Sequence, residues 1–167
     1  MRTLFLMLCL ANIVIAVGMV LWMPDPMATR FGHGGLPVSV MSPEVYAVFI
    51  SGLVVFFIAL VLLTPRLMRV LPPSLVNLPN RAFWMSEDNR PRTERRIRVF
   101  FEGIGAVMQL LFLLLQWLTF TANRAIPPQL DMPIFWAGFV GFLVVMAVLT
   151  VRLYVSFRLP KDQANSR

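Results

Sequence analysis

Four stretches of this 167-residue chain, residues 3–23, 45–64, 103–121 and 132–151, contain no Asp, Glu, Lys or Arg. As helices rising 1.5 Å per residue, each reaches about 30 Å, the thickness of a bilayer's hydrocarbon core. Backbone groups in hydrocarbon must be satisfied within the protein, so the helix is the form such runs take. Composition agrees: 58% of residues are hydrophobic and 14% charged, where a soluble domain carries about a quarter charged residues. The expected fold is all-α, an integral membrane bundle of four transmembrane helices. Residues 1–158 form one domain with spans at about 3–23, 45–64, 99–121 and 132–151, and 159–167 form a polar tail. No connection is long enough to build a separate soluble core.

The charge distribution orients the bundle. The net charge is +7 and the sequence pI about 11.3, values that in a soluble protein raise nucleic-acid binding. Here the connection at residues 65–98 holds eight arginines against Glu87, Asp88 and Glu94, and Arg2, Arg152, Arg158, Lys161 and Arg167 fall on the same side. Only Arg30 and Arg124 fall on the other. This positive-inside pattern predicts cytoplasmic termini and a basic cytoplasmic loop, and it explains the charge without nucleic acid. Trp22, Tyr46, Trp117 and Trp136 lie near the outer ends of their spans, as interfacial aromatics do. The first apolar run outlasts a signal-peptide core, so a retained anchor is expected, with Cys9 inside it as a packing residue.

The loops are punctuated by proline and glycine. Residues 23–37 read Met-Pro-Asp-Pro-Met-Ala-Thr-Arg-Phe-Gly-His-Gly-Gly-Leu-Pro, a composition that blocks helix and favours turns. Ser42, Pro43 and Glu44 read as N-cap, first helical position and dipole-compatible acid of the second helix, and Pro65 as its stop or bend. The third helix is expected to start between Ser86 and Arg92. Arg92, Arg95, Arg96 and Arg98 would then meet anionic headgroups, as general anchors rather than as a specific lipid site.

Two stretches carry a resemblance. The outer loop has Met23-Pro24-Asp25-Pro26-Met27-Ala28-Thr29-Arg30-Phe31, then Gly34-Gly35-Leu36-Pro37 and Met41-Ser42; the inner loop has Pro73-Ser74-Leu75-Val76-Asn77-Leu78-Pro79-Asn80-Arg81-Ala82-Phe83-Trp84. Together they resemble a family of small bacterial membrane proteins carrying a domain of unknown function, related to the SdpI-type immunity proteins that protect against a sporulation-delaying toxin. The resemblance implies a multi-pass protein of the bacterial plasma membrane without an assigned catalytic site. The candidate loop contacts are Arg30, Phe31, His33, Asn77, Pro79, Asn80 and Trp84; Arg30 stands where the family commonly has a histidine, and His33 lies three residues later. Read from composition alone, Asn77 to Asn80 make a tight polar turn, with Phe83 and Trp84 lying back on the membrane surface or the bundle.

The third span carries a polar face. Glu102, Gln109, Gln116 and Asn123 recur every seven residues, and seven steps of a helix return to within about 20° of one direction. Such a face points into protein. Its residues either bond across helices, with Asn12 of the first span as a partner and Arg98 pairing with Glu102, or line a path for a proton, ion or small polar ligand. With one ionisable member, interhelical bonding is the stronger reading. Small residues at Ala47-x-x-x-Ser51 and Ala137-x-x-x-Gly141 suggest close helix approach.

Catalysis lacks parts. His33 is the sole histidine and Cys9 the sole cysteine, which excludes a conventional zinc site within one chain. Asp25, His33 and Ser39 or Ser42 have no nucleophile-elbow context, and Gly32-His33-Gly34-Gly35 lacks the lysine of a phosphate loop. The expectation is a non-enzymatic interaction protein without cofactor or metal. Its partners are the lipid bilayer and a peptide, toxin or other membrane protein, with a homo-oligomer as a further assembly. The alternative is a transporter or channel component using the polar face.

Overall fold

A computed structural model describes residues 1–72 and 78–158, apart from the side chains of Pro65, Met68 and Arg69. Asn77 and the tail at 159–167 lie outside the described residues. The chain runs α1 (Arg2–Trp22), β1 (Met27–Phe31), a 3-10 turn (His33–Gly35), β2 (Pro37–Met41), α2 (Pro43–Val70), α3 (Arg81–Trp84), α4 (Arg90–Arg124) and α5 (Met132–Ser156). Helices α1, α4, α5 and the Pro43–Thr64 part of α2 are long and apolar enough to cross a membrane.

The helix boundaries follow local chemistry. Ser42 caps α2, its hydroxyl accepting from the Val45 N–H at 3.4 Å, with Pro43 at the first position. Asp131 caps α5 in the same way, accepting from the Ile134 N–H at 3.0 Å. Pro65 does not end α2, which runs on to Val70. Its missing N–H removes one rung of a helix already extended on both sides of it, and propagation is cheaper than a new nucleus. At 35 residues, α4 is about 50 Å long, so its arginine-rich start stands beyond the apolar span.

Three of the four long helices form the core. Phe5, Cys9, Asn12, Ala16 and Met19 are the buried residues of α1, spaced four and three apart so that one face meets the neighbours. That face packs on α2 and α4, which also pack on each other. At the crossing, Gly105 lets the backbones close: a Cβ there would lie 2.8 Å from a Phe5 ring carbon and 2.9 Å from a Val61 methyl. Within the expected four-helix bundle, α1, α2 and α4 make the core and α5 leans chiefly on α4, with no described α5 residue buried. Its close approach is at Gly138, where a Cβ would overlap the Leu114 side chain, while Gly141 faces open space.

The expected irregular outer loop is instead an antiparallel β1–β2 hairpin pairing Met27 with Met41 and Ala28 with Val40. Its turn needs glycine: Gly34 and Gly35 have φ of +73° and +78°. Gly35 is doubly constrained, because a Cβ would overlap the Leu130 carbonyl. Met27 is fully buried and joins the core beneath the hairpin, whereas β2 is largely exposed.

The glycine contacts separate packing from propensity. Gly105→Ala should destabilise the detergent-solubilised protein by about 1–3 kcal/mol through overpacking. Gly52→Ala, whose Cβ meets nothing within 4 Å, should be neutral or stabilising by up to about 1 kcal/mol. Thermal or SDS-titrated unfolding of both variants checks the contrast.

Candidate functional site

The polar face of α4 meets α1 and the hairpin. Asn12 is fully buried and its amide N–H groups donate to the Gln109 side-chain oxygen at 3.0 Å and the Gln109 carbonyl at 3.0 Å. Its own side-chain oxygen accepts from Gln116 Nε2 at 2.6 Å. One α1 residue thus bridges two successive members of the α4 stripe, about two helical turns apart. Gln109 Nε2 and Gln116 Oε1 are buried without a hydrogen-bond partner among the described residues. Glu102 is 8% exposed, and among the described residues it makes no ion pair with Arg98, contrary to expectation; Arg98 is exposed while Glu102 faces the core.

Asn123, the last member of the stripe, holds the hairpin. Its side-chain oxygen accepts from the Ala28 N–H at 2.6 Å and its nitrogen donates to the Ala28 carbonyl at 2.7 Å. The amide occupies the place of a neighbouring strand, satisfying both backbone groups of a residue 4% exposed. The hairpin tip is fixed separately: the Leu130 N–H donates to the Gly35 carbonyl at 2.9 Å and Gln129 Nε2 to the Gly34 carbonyl at 3.2 Å.

A cavity of about 340 Å³ lies behind this hairpin, walled by Arg30 and Phe31 of β1, Tyr46 of α2, Thr119 of α4 and Phe135 of α5 among others. Tyr46 belongs to this wall and not to the expected interfacial belt: it is 7% exposed and interacts with the Thr119 side chain. Arg30 is exposed and makes no ion pair among the described residues. The chamber is apolar with hydroxyl groups at its side and a guanidinium at its rim, a combination suited to an apolar segment carrying an acidic group. His33 is exposed at the hairpin tip and does not line it.

The inner-loop candidates have a different setting. Pro79 and Asn80 form a turn, with Asn80 in the left-handed conformation at φ +53°. Asn80 Nδ2 and the Trp84 indole N–H donate to the same carbonyl, that of Phe157, at 3.1 and 2.7 Å. Trp84 is 2% exposed, stacks edge-on against Phe83 and Phe157, and lies under the Arg96 guanidinium at 4.3 Å. This segment anchors the end of α5, so Trp84 is unavailable to a partner while that packing holds.

The structure therefore brings Asn12, Gln109 and Gln116 together at one place, Arg30 and Phe31 at a second, and Asn80 and Trp84 at a third. Sequence reading missed Tyr46, Thr119 and Phe135 as cavity walls. It also missed the hairpin, for which Val38 and Val40 after a Gly-rich turn were the available signal. Comparison with family models, curated proteins and solved structures finds no match.

Asn12→Leu should destabilise the protein by about 1–3 kcal/mol, because it strands the Gln109 and Gln116 amides in an apolar setting. Asn123→Leu should instead act locally, raising hydrogen exchange at the Ala28 amide while the α1–α4 contact stays protected. Exchange mass spectrometry distinguishes the two.

Proposed function

We propose that this chain is a non-enzymatic multi-pass membrane interaction protein of the SdpI-like type, acting in envelope immunity, in sensing or as an accessory subunit. One observation carries the reading: the resembling outer-loop motif contributes Arg30 and Phe31 to a rigidly held apolar cavity. The ligand class is an apolar peptide segment with a carboxylate for Arg30. The charge asymmetry supports placing this cavity outside the bacterial plasma membrane, with both termini in the cytoplasm.

A second reading, a transporter or channel component, draws on the two unpartnered amide atoms of Gln109 and Gln116. Asn12 weighs against it, because it bonds to both side chains across the helix interface. Reconstituted flux abolished by Glu102→Gln or Gln109→Leu would favour transport.

A photo-crosslinking residue at Phe31 should capture a peptide or protein in native membranes, whereas one at Val48, 74% exposed on α2, should capture lipid. Arg30→Glu should lower the Phe31 adduct at least roughly tenfold, since like charges brought together cost several kcal/mol. Lipid adducts alone at Phe31, with unchanged sensitivity to membrane-active peptides after deletion of the protein, would overturn the reading.

A further inference from the structure

A second and larger cavity, about 560 Å³, opens at the opposite, basic end between α4 and α5. Arg92, Arg95, Arg96, Val99, Phe100 and Gly103 face it from α4, and Leu149, Arg152, Leu153 and Ser156 from α5. Each set follows helical spacing of three and four, so two continuous faces oppose one another across the gap. Each face is divided along its length: arginine lies toward the end of the bundle, and Val99, Phe100 and Leu149 lie toward the membrane interior.

The arginines are not equivalent. Arg96 is committed, its guanidinium donating to the Ser156 carbonyl and covering the Trp84 ring. Arg92, Arg95 and Arg152 are exposed and have no ion pair among the described residues. Three guanidiniums around one opening repel each other unless an anion sits between them, and their planar donor forks match phosphate. At the deeper end the floor beside Gly103 is open: a Cβ there would approach only the Met1 methyl, at 4.0 Å. A cationic top above an apolar floor, at the depth where a span ends, is complementary to an anionic phospholipid.

We propose that this cavity is a specific site for one anionic phospholipid, its phosphate held by Arg92, Arg95 and Arg152 and an acyl chain lying on Val99, Phe100 and Leu149. This goes beyond general attraction of a basic loop to a membrane, and it is independent of the outer cavity. The bound lipid would complete the α4–α5 seam at its basic end, where Arg96 already ties α4 to the last turn of α5.

The test uses the full chain in mild detergent with phosphatidylglycerol, phosphatidylcholine or inorganic phosphate, read by native mass spectrometry and by thermal midpoint. The expected result is one retained phosphatidylglycerol, with affinity about fivefold weaker for each arginine replaced in Arg92→Gln, Arg95→Gln and Arg152→Gln. Arg66→Gln with Arg98→Gln and Arg158→Gln removes the same charge outside the cavity and should leave retention within about twofold. Gly103→Leu fills the floor without changing charge and should also reduce retention. Equal loss in the control triple variant, equal retention of phosphatidylcholine, or equal stabilisation by inorganic phosphate would each overturn the proposal. Should the arginine triple variant fail to fold, unchanged retention in Gly103→Leu overturns it alone.

Discussion

The fold depends on amide hydrogen bonding between helices. In hydrocarbon an apolar side chain gains nothing from water exclusion, so helix association rests on close packing and on polar groups that have nowhere else to bond. Asn12 supplies both α1 contacts to the α4 stripe, at Gln109 and Gln116, and so fixes the rotation of α1 and its height along α4 together. A shift of one turn would separate it from both amides. Once α1 and α4 are in register, the Gly105 crossing against Phe5 and Val61 falls into place, and α2 closes the triangle.

The same stripe then determines what the hairpin end of the bundle looks like. Asn123 lies two turns beyond Gln116, and its two bonds to Ala28 convert a short, irregularly registered hairpin into a fixed wall. An isolated two-stranded hairpin is marginal at best. Here its first strand pairs on one side with β2 and on the other with a side-chain amide, while Met27 descends into the core. The cavity holding Arg30 and Phe31 lies between that wall, held by α4, and residues of α2, α4 and α5.

Much of the architecture was legible because it is written locally. Span positions follow from uncharged apolar runs, the start of α2 from Ser42 and Pro43, and the inward face of α4 from a seven-residue repeat of polar side chains. The features that were not legible depend on distant partners. Residues 27–31 carry little strand alternation, and what holds them is an asparagine 95 positions away. For Trp84 the sequence leaves membrane surface and bundle both open, and the bond from its indole to a carbonyl 73 residues on places it against the bundle. The asymmetry of α5 was hidden for a simpler reason: with no polar residue in its central turns, its sequence does not say which face meets protein.

That asymmetry has a mechanical consequence. At its start α5 is tied to the hairpin tip through the Leu130 and Gly35 backbone, and at its end through the Phe157 carbonyl to Asn80 and Trp84. Between these ties it has no buried residue and meets α4 by surface contact around Gly138 and Leu114. It is a spring clamped at both ends beside a stiff three-helix column. Bilayer thinning or lateral pressure would bend this helix before it disturbed the amide-locked core, making the α4–α5 seam the compliant line of the molecule.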